Sequence, residues 1–322
     1  MNLQHIKYMV EVERVGSVTR AAANMFMGQP NLSKAIKEVE NEVGFTVFNR
    51  SAKGVFPTDK GERFLEYAKA ILAQLDKIEE LRSADSGDII RFCISVPRAS
   101  YITHAFTRFV SSLDSSKKIA IDFRETNSME SISNVCDGTS SIAVIRYNIE
   151  NEEYFMSMLS EKNLRSELLL KFDFRALMSA EDPLAAGNEI TPENLEDYTE
   201  VLHGDYEVPY LSSSYTRKLG SGRMRQIFVY ERGSQFDILT EVKRTFMWVS
   251  PMPSEILSRL NLKQLKCRGA AAKYADCLIY PASYKLNKYD LEFIDHLYEV
   301  RDKAAITMRE QNQEISEARG RN

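Results

Sequence analysis

The chain has 322 residues and, at roughly 150 residues per domain, enough length for two or three domains with buried cores. With 43% hydrophobic and 27% charged residues, 14 Gly and 9 Pro, it is neither collagen-like nor wholly disordered, and no run approaches the ~18 apolar residues of a membrane span. Met1 to Tyr8 lacks the basic-then-apolar order of a secretion signal, so the expectation is a soluble cytoplasmic protein whose Cys93, Cys136, Cys267 and Cys277 are reduced thiols.

Leu3, Ile6, Met9 and Val10 recur at helical spacing and predict a first helix over 2–14. Gly16 breaks it, and Ser17 is a natural N-cap for a short helix from Val18 to Asn24, where Ala21 to Ala23 allow close crossing. A turn through Phe26 to Gln29 leads into a third helix with Pro30 in its first turn and Gly44 at its C-terminus. Leu32, Ile36, Val39 and Val43 form its single apolar stripe, leaving Pro30, Lys34, Lys37 and Asn41 on the opposite face, with Ser33 on one flank and Asn31 and Glu38 on the other. Read by periodicity alone this is an ordinary amphipathic helix. The charge pattern adds to it. The whole chain carries −4, yet residues 14–37 hold four bases and no acid, and 43–58 hold Arg50 and Lys53 and no acid. Such acid-free stretches suit a phosphate backbone. Thr46 to Arg50 and Val55-Phe56, joined by a turn at 51–54, predict a hairpin wing whose basic tip could rest on phosphate or reach the minor groove. Thr58 then caps a long helix whose positive end suits Asp59 and Glu62.

Ser17-Val-Thr19-Arg-Ala21-Ala22, Gln29-Pro30-x-Leu32-Ser33-x-x-Ile36, Glu40-x-x-x-Gly44-x-x-x-Phe48-x-Arg50 and Thr58-x-x-Gly61 together resemble the helix-turn-helix of LysR-type transcriptional regulators. The resemblance covers about the first 65 residues, with Gly28, Asn31 and Val47 as mild departures. It implies that Thr19, Arg20, Gln29, Pro30, Asn31, Ser33, Lys34, Lys37, Arg50 and Lys53 meet double-stranded DNA at a roughly palindromic operator. Beyond Thr58, Phe64, Ala68, Ile71, Leu75 and Ile78 step by four and three, a coiled-coil seam. A helix of ~25 residues, about 38 Å long, would overhang so small a domain, so pairing with a second copy through 58–82 is expected. The resemblance implies the same linker helix and, further, a tetramer. Ser83 to Asp88 reads as a polar hinge.

Beyond it, strands and helices alternate: Ile89–Val96, a helix over Tyr101–Leu113, Ile119–Arg124, a helix over Met129–Cys136, and Ile142–Arg146. This predicts an α/β domain with a parallel sheet. A second block comprises Leu168–Met178, a helix over Thr191–Asp197, Gln226–Tyr230, a helix over Gln235–Lys243, and Phe246–Val249. Cys277–Tyr280 and a helix over Asp290–Val300 close the series. By resemblance this is a two-lobed effector-binding domain over 89–300, akin to periplasmic binding proteins. The DNA-binding domain covers 1–58, the linker 59–88 and a polar tail 301–322, either a helix extension or disordered. Lobe I takes about 89–163 and 266–300 and lobe II about 164–265, with crossings near 160–166 and 263–270.

Ligands in open sheets sit beyond the carboxyl ends of strands. That selects Pro97 to Tyr101, Thr126 to Ser128 and Tyr230 to Gln235. The effector residues expected are Arg98, Ser100, Tyr101, Thr126, Asn127, Ser128 and Ser234, holding a small molecule that is anionic if Arg98 faces it. Capping alone would equally explain Ser100, Ser128 and Ser234. Phe246 and Trp248 either fill the core or shape the pocket. No zinc spacing occurs, Gly220 to Arg223 lacks a dinucleotide fingerprint, and there is no nucleophile elbow, so neither cofactor nor metal is expected. The favoured function is a small-molecule-responsive transcriptional regulator. A two-lobed binding protein without a DNA role, or an enzyme with a winged-helix regulatory domain, are the alternatives.

Overall fold

The computed structural model describes all residues except 1, 52–53, 85–88, 205–224, 270–272 and 321–322. Two compact units result, 1–89 with 133–140, and 90–132 with 141–322.

In the first unit, α1 (Leu3–Val15) starts at Asn2, whose side chain accepts from Gln4 N, and α2 (Val18–Asn24) starts at Ser17. Helix α3 (Gln29–Val43) carries Pro30 in its first turn. It ends at Gly44, where a φ of 80° is the left-handed conformation that glycine adopts without strain. Leu32, Ile36 and Val39 are buried, together with Met9, Val12, Ala21 and Ala22 from the other two helices. The apolar stripe therefore faces the core and the basic face points out. Strands β1 (Phe48–Ser51) and β2 (Gly54–Pro57) form the antiparallel wing.

The long helix α4 (Asp59–Ala84) leaves the wing under tight constraint. Thr58 accepts from Gly61 N at 3.0 Å, donates its hydroxyl to Thr46 O and its backbone N–H to Val47 O. Gly61 lies so close that a Cβ there would sit 2.1 Å from Val47 O. Gly61→Ala is therefore expected to cost about 1–3 kcal/mol, the range for forced overpacking. The check is the urea midpoint of the full chain by circular dichroism; an unchanged midpoint contradicts the close approach. Leu65 and Ala68 pack into the unit's own core, whereas Tyr67, Ile71 and Ile78 are exposed. The upper half of the expected seam is thus used within the domain, while in the lower half Ile71 and Ile78 are exposed and Leu75 is half-buried. Of the expected hinge, 85–88 lies outside the described residues.

The second unit holds two sheets. One contains β3 (Ile89–Val96), β4 (Lys118–Glu125), β5 (Ile142–Asn148), β6 (Leu164–Asp173) and β13 (Lys273–Pro281), in the order β4-β3-β5-β13-β6. Helix α5 (Ser100–Ser112) covers it beside α10 (Lys288–Gly320), with the rings of Phe92, Phe109 and Phe293 meeting tilted or edge-on between sheet and helices. Helices α6 (Ser128–Cys136) and α7 (Glu152–Glu161) complete its connections. The other sheet contains β7 (Arg175–Ser179), β8 (Glu189–Ile190), β9 (Thr199–His203), β10 (Gln226–Val229), β11 (Thr245–Val249) and β12 (Leu262–Cys267), in the order β10-β9-β11-β7-β12-β8. Helices α8 (Gly233–Glu241) and α9 (Ser254–Arg259) pack on it.

Three expectations need correction. The apolar run Leu168–Met178 is two strands: β6 pairs with β13 in the first sheet, and after Phe174 the chain enters the second sheet as β7. The first crossing is therefore at Phe174 rather than near 160–166, and β12 keeps the chain in the second sheet to Cys267. The sheets are mixed rather than parallel. β3 and β5 run parallel, but β13 is antiparallel to β5 and β6 because it re-enters from the other lobe. Only a short 3₁₀ turn, Glu193–Leu195, occupies the helix expected over 191–197. The tail is an extension of α10 to Gly320.

Candidate DNA interface and ligand cleft

On the first unit, Thr19, Arg20, Gln29, Pro30, Asn31, Lys34, Lys37 and Arg50 are exposed, and Ser33 is half-buried. Their freedom differs. Gln29 Nε2 donates to Ser33 Oγ at 2.8 Å, fixing the leading edge of α3. Arg20 donates to Val15 O at 3.1 Å, so part of its guanidinium closes the end of α1. Lys34 lies 3.8 Å from Glu38, one helical turn on. Arg14, basic in sequence, is spent on Glu11, which Asn24 also reaches. Lys53 lies outside the described residues. Glu40 accepts from Val47 N at 2.8 Å and Phe48 N at 3.1 Å, so it sets the angle at which the wing leaves α3. That motif carboxylate is bound to the backbone of the wing.

On the second unit, a cleft of about 560 Å³ opens between the sheets, lined by Ser100, Thr103, Phe123 and Glu125 from one lobe. Arg232, Gly233, Phe236, Ile256, Arg259 and Leu260 line it from the other. Arg232 spans it. Its guanidinium donates to Ser100 Oγ at 2.9 Å and Thr103 Oγ1 at 2.6 Å, and forms an ion pair with Glu125. Desolvation lowers the Arg232 pKa, and the Glu125 charge opposes that shift. A second bridge, His104 to Glu255 at 3.2 Å, links α5 to α9.

Of the residues expected at this cleft, only Ser100 lines it. Tyr101 turns one helical step into the core, fully buried, and donates to Asp276 Oδ2 at 2.7 Å. Burial pushes that phenol well above its usual value, with the Asp276 charge second, so it remains a donor. Arg98 does not line the cleft, and its carbonyl faces Arg146. Thr126 holds Val96 O and Ser131, Asn127 caps α6 through Glu130 N, and Ser128 bridges to the backbone of Arg146. Ser234 is not a cap. Glu231 accepts from both Gly233 N and Ser234 N and performs that role; the Ser234 side chain first, and then these two backbone groups, hold its carboxyl below the usual range. Arg232 lies within the expected segment Tyr230 to Gln235, where it is the lone cation; that was the signal available. Phe246 and Trp248 meet edge to face in the core of the second sheet. Among the described residues no cluster of His, Cys, Asp or Glu could hold a metal, and no helix is long and apolar enough to cross a membrane. Gly220 to Arg223 lies outside the described residues.

Residues 3–62 match the family described as "Bacterial regulatory helix-turn-helix protein, lysR family". Among curated proteins, a probable RuBisCO transcriptional regulator of Trieres chinensis is 27% identical over 57% of this chain and 57% of its own length. The transcriptional regulator BudR of Klebsiella aerogenes is 42% identical over 27% of this chain and 62% of its own. The chain thus spans less than two thirds of the curated relatives it matches. Two solved structures share the fold along nearly the whole chain. CbnR, a LysR family transcriptional regulator, has a TM-score of 0.56 at 16% identity, covering 94% of this chain and 99% of its own. A full-length OxyR variant from Pseudomonas aeruginosa has a TM-score of 0.53 at 18% identity, covering 93% and 97%.

Proposed function

We propose that this chain, whose residues 3–62 match the lysR helix-turn-helix family, is a sequence-specific DNA-binding transcriptional regulator of that family, controlled by a small molecule in its C-terminal cleft. The observation that carries the reading is the outward face of α3. Lys34 and Lys37 stand exposed on it beside Asn31 and a Gln29–Ser33 pair, while its apolar stripe is buried. A helix fixed this way, followed by a wing bearing Arg50, presents cationic and amide groups to a major groove. The DNA complex solved for CbnR supports the same role here. The matched relatives are named as transcriptional regulators, which favours a binding protein over an enzyme and a cytoplasmic site of action. Residues 1–58 form the DNA head and 59–88 the linker through which two copies pair, with a tetramer as the family's higher assembly.

A gel shift on DNA from beside its own gene tests the reading. Lys34→Ala and Lys37→Ala are each expected to weaken binding. A phosphate contact would lower the salt slope by about one, and a base contact would cost ~1–3 kcal/mol and relax specificity. Glu38→Ala should leave binding equal or tighter, because it releases Lys34 from its 3.8 Å pair. Both lysine variants binding as wild type, with the same salt slope, would reverse the helix orientation.

A further inference from the structure

The cleft contains its own stand-in for a ligand. Glu125 reaches across from the end of β4 and occupies the guanidinium of Arg232, which Ser100 and Thr103 hold from the same side. Two arginines and one glutamate make the wall net positive by one. Arg259, exposed on the rim, forms no ion pair among the described residues. The remaining wall, Phe123, Phe236, Ile256 and Leu260, is apolar from both lobes. One further negative charge on an apolar body would neutralise this surface and cover it. Ser100, Thr103 and His104 are also consecutive points on α5 at which the first lobe grips the second. Anything that takes Arg232 from Glu125 therefore loosens that grip.

We propose that the Arg232–Glu125 pair is an internal latch, and that the effector is an apolar monocarboxylate which seats its anion on Arg259 and Arg232 in place of Glu125. The proposal rests on the regulator reading for its consequence but not for its chemistry. A planar carboxylate accepts two parallel N–H bonds from a guanidinium, as Glu125 itself can, so the exchange preserves geometry while uncoupling the lobes. Only a ligand that prefers the unlatched arrangement can shift the balance.

Isothermal titration of the full chain decides it. The probes are hexanoate and cyclohexanecarboxylate, each beside its amide and its amine. The carboxylates should bind and the amides and amines should not. Glu125→Gln, which removes the competitor but keeps the shape, should tighten carboxylate binding by about fivefold or more, the lower end of usual ligand–conformation coupling. Arg259→Gln, on the exposed rim where folding is not at stake, should weaken it by a similar factor. Carboxylates that bind neither wild type nor Glu125→Gln, amines that bind best, or a Glu125→Gln variant that binds carboxylates less tightly each overturn the proposal. The gel shift separates the two readings. DNA binding without carboxylate binding defeats the latch alone, whereas carboxylate binding without DNA binding defeats the regulator.

Discussion

Asp276→Ala should destabilise the C-terminal unit by about 3–5 kcal/mol, the usual loss when one partner of a buried ion pair is removed. Asp276 is inaccessible, and Arg146 Nε and Nη2 each meet one of its oxygens at 2.7 Å. Tyr101 donates to the same carboxylate, and the Arg146 guanidinium lies 4.8 Å from the centre of the Phe172 ring. With the carboxylate gone, a guanidinium remains charged within an aromatic cage and far from water. Two controls separate the causes. Tyr101→Phe removes one hydrogen bond to a charged group and should cost about 1.5–3 kcal/mol. Replacing both partners by apolar residues, Arg146→Met with Asp276→Leu, should recover much of the loss, since the penalty belongs to the orphaned charge. Urea unfolding followed by circular dichroism reads all three. An Asp276→Ala variant that loses less than Tyr101→Phe would show that the pair does not carry the stability.

That network also shows where sequence reading reached its limit. The N-terminal elements were legible almost to the residue, because their signals are local. Ser17, Pro30, Gly44 and Thr58 each act within one turn of where they stand. The outward face of α3 followed from spacing alone. The roles of Glu40 and Gly61 did not, since both depend on Val47 returning past them. In the second unit, strand identity was clear for β3 and obscure for β6 and β7. Phe174 is apolar, so hydropathy cannot mark it as the point where the chain changes sheets. The strands β8, β9 and β12 were missed, as pairing partners far away in sequence stabilise short segments. For the cleft, the rule of carboxyl strand ends selected segments that contain or adjoin three of its lining residues, Ser100, Glu125 and Arg232. Of the side chains it named within them, only Ser100 lines the cleft. Whether Arg98 or Arg232 faces the other lobe depends on how the lobes oppose each other, and no local pattern encodes that. Likewise Glu231 and Ser234 could each have capped α8, and backbone geometry chose the longer side chain.

Ile71→Asp combined with Leu75→Asp should convert the protein to monomers and remove tight operator binding. Half of the α4 stripe, Leu65 and Ala68, is committed to the head's own core. The other half is not: Ile71 is 37% and Ile78 56% exposed, with a half-buried Leu75 between them on the same face. An exposed row of isoleucines at seam spacing needs a partner helix to leave water. Two carboxylates placed there would be desolvated without counter-charges when a second helix packs, a cost that opposes association directly. On the proposed function, a head alone would still touch DNA through Lys34, Lys37 and Arg50 but would lose the second half-site. Two paired heads place their recognition helices about 34 Å apart, one turn of DNA, or a multiple of that distance. The expected pattern is therefore specific. Sedimentation should give half the wild-type mass, circular dichroism should show the helices retained, and affinity for a full palindrome should fall to that for a half-site. Affinity for an isolated half-site should not change. A double variant that sediments as wild type would place the pairing surface elsewhere, and one that is monomeric yet still prefers the full palindrome would sever dimerisation from operator choice.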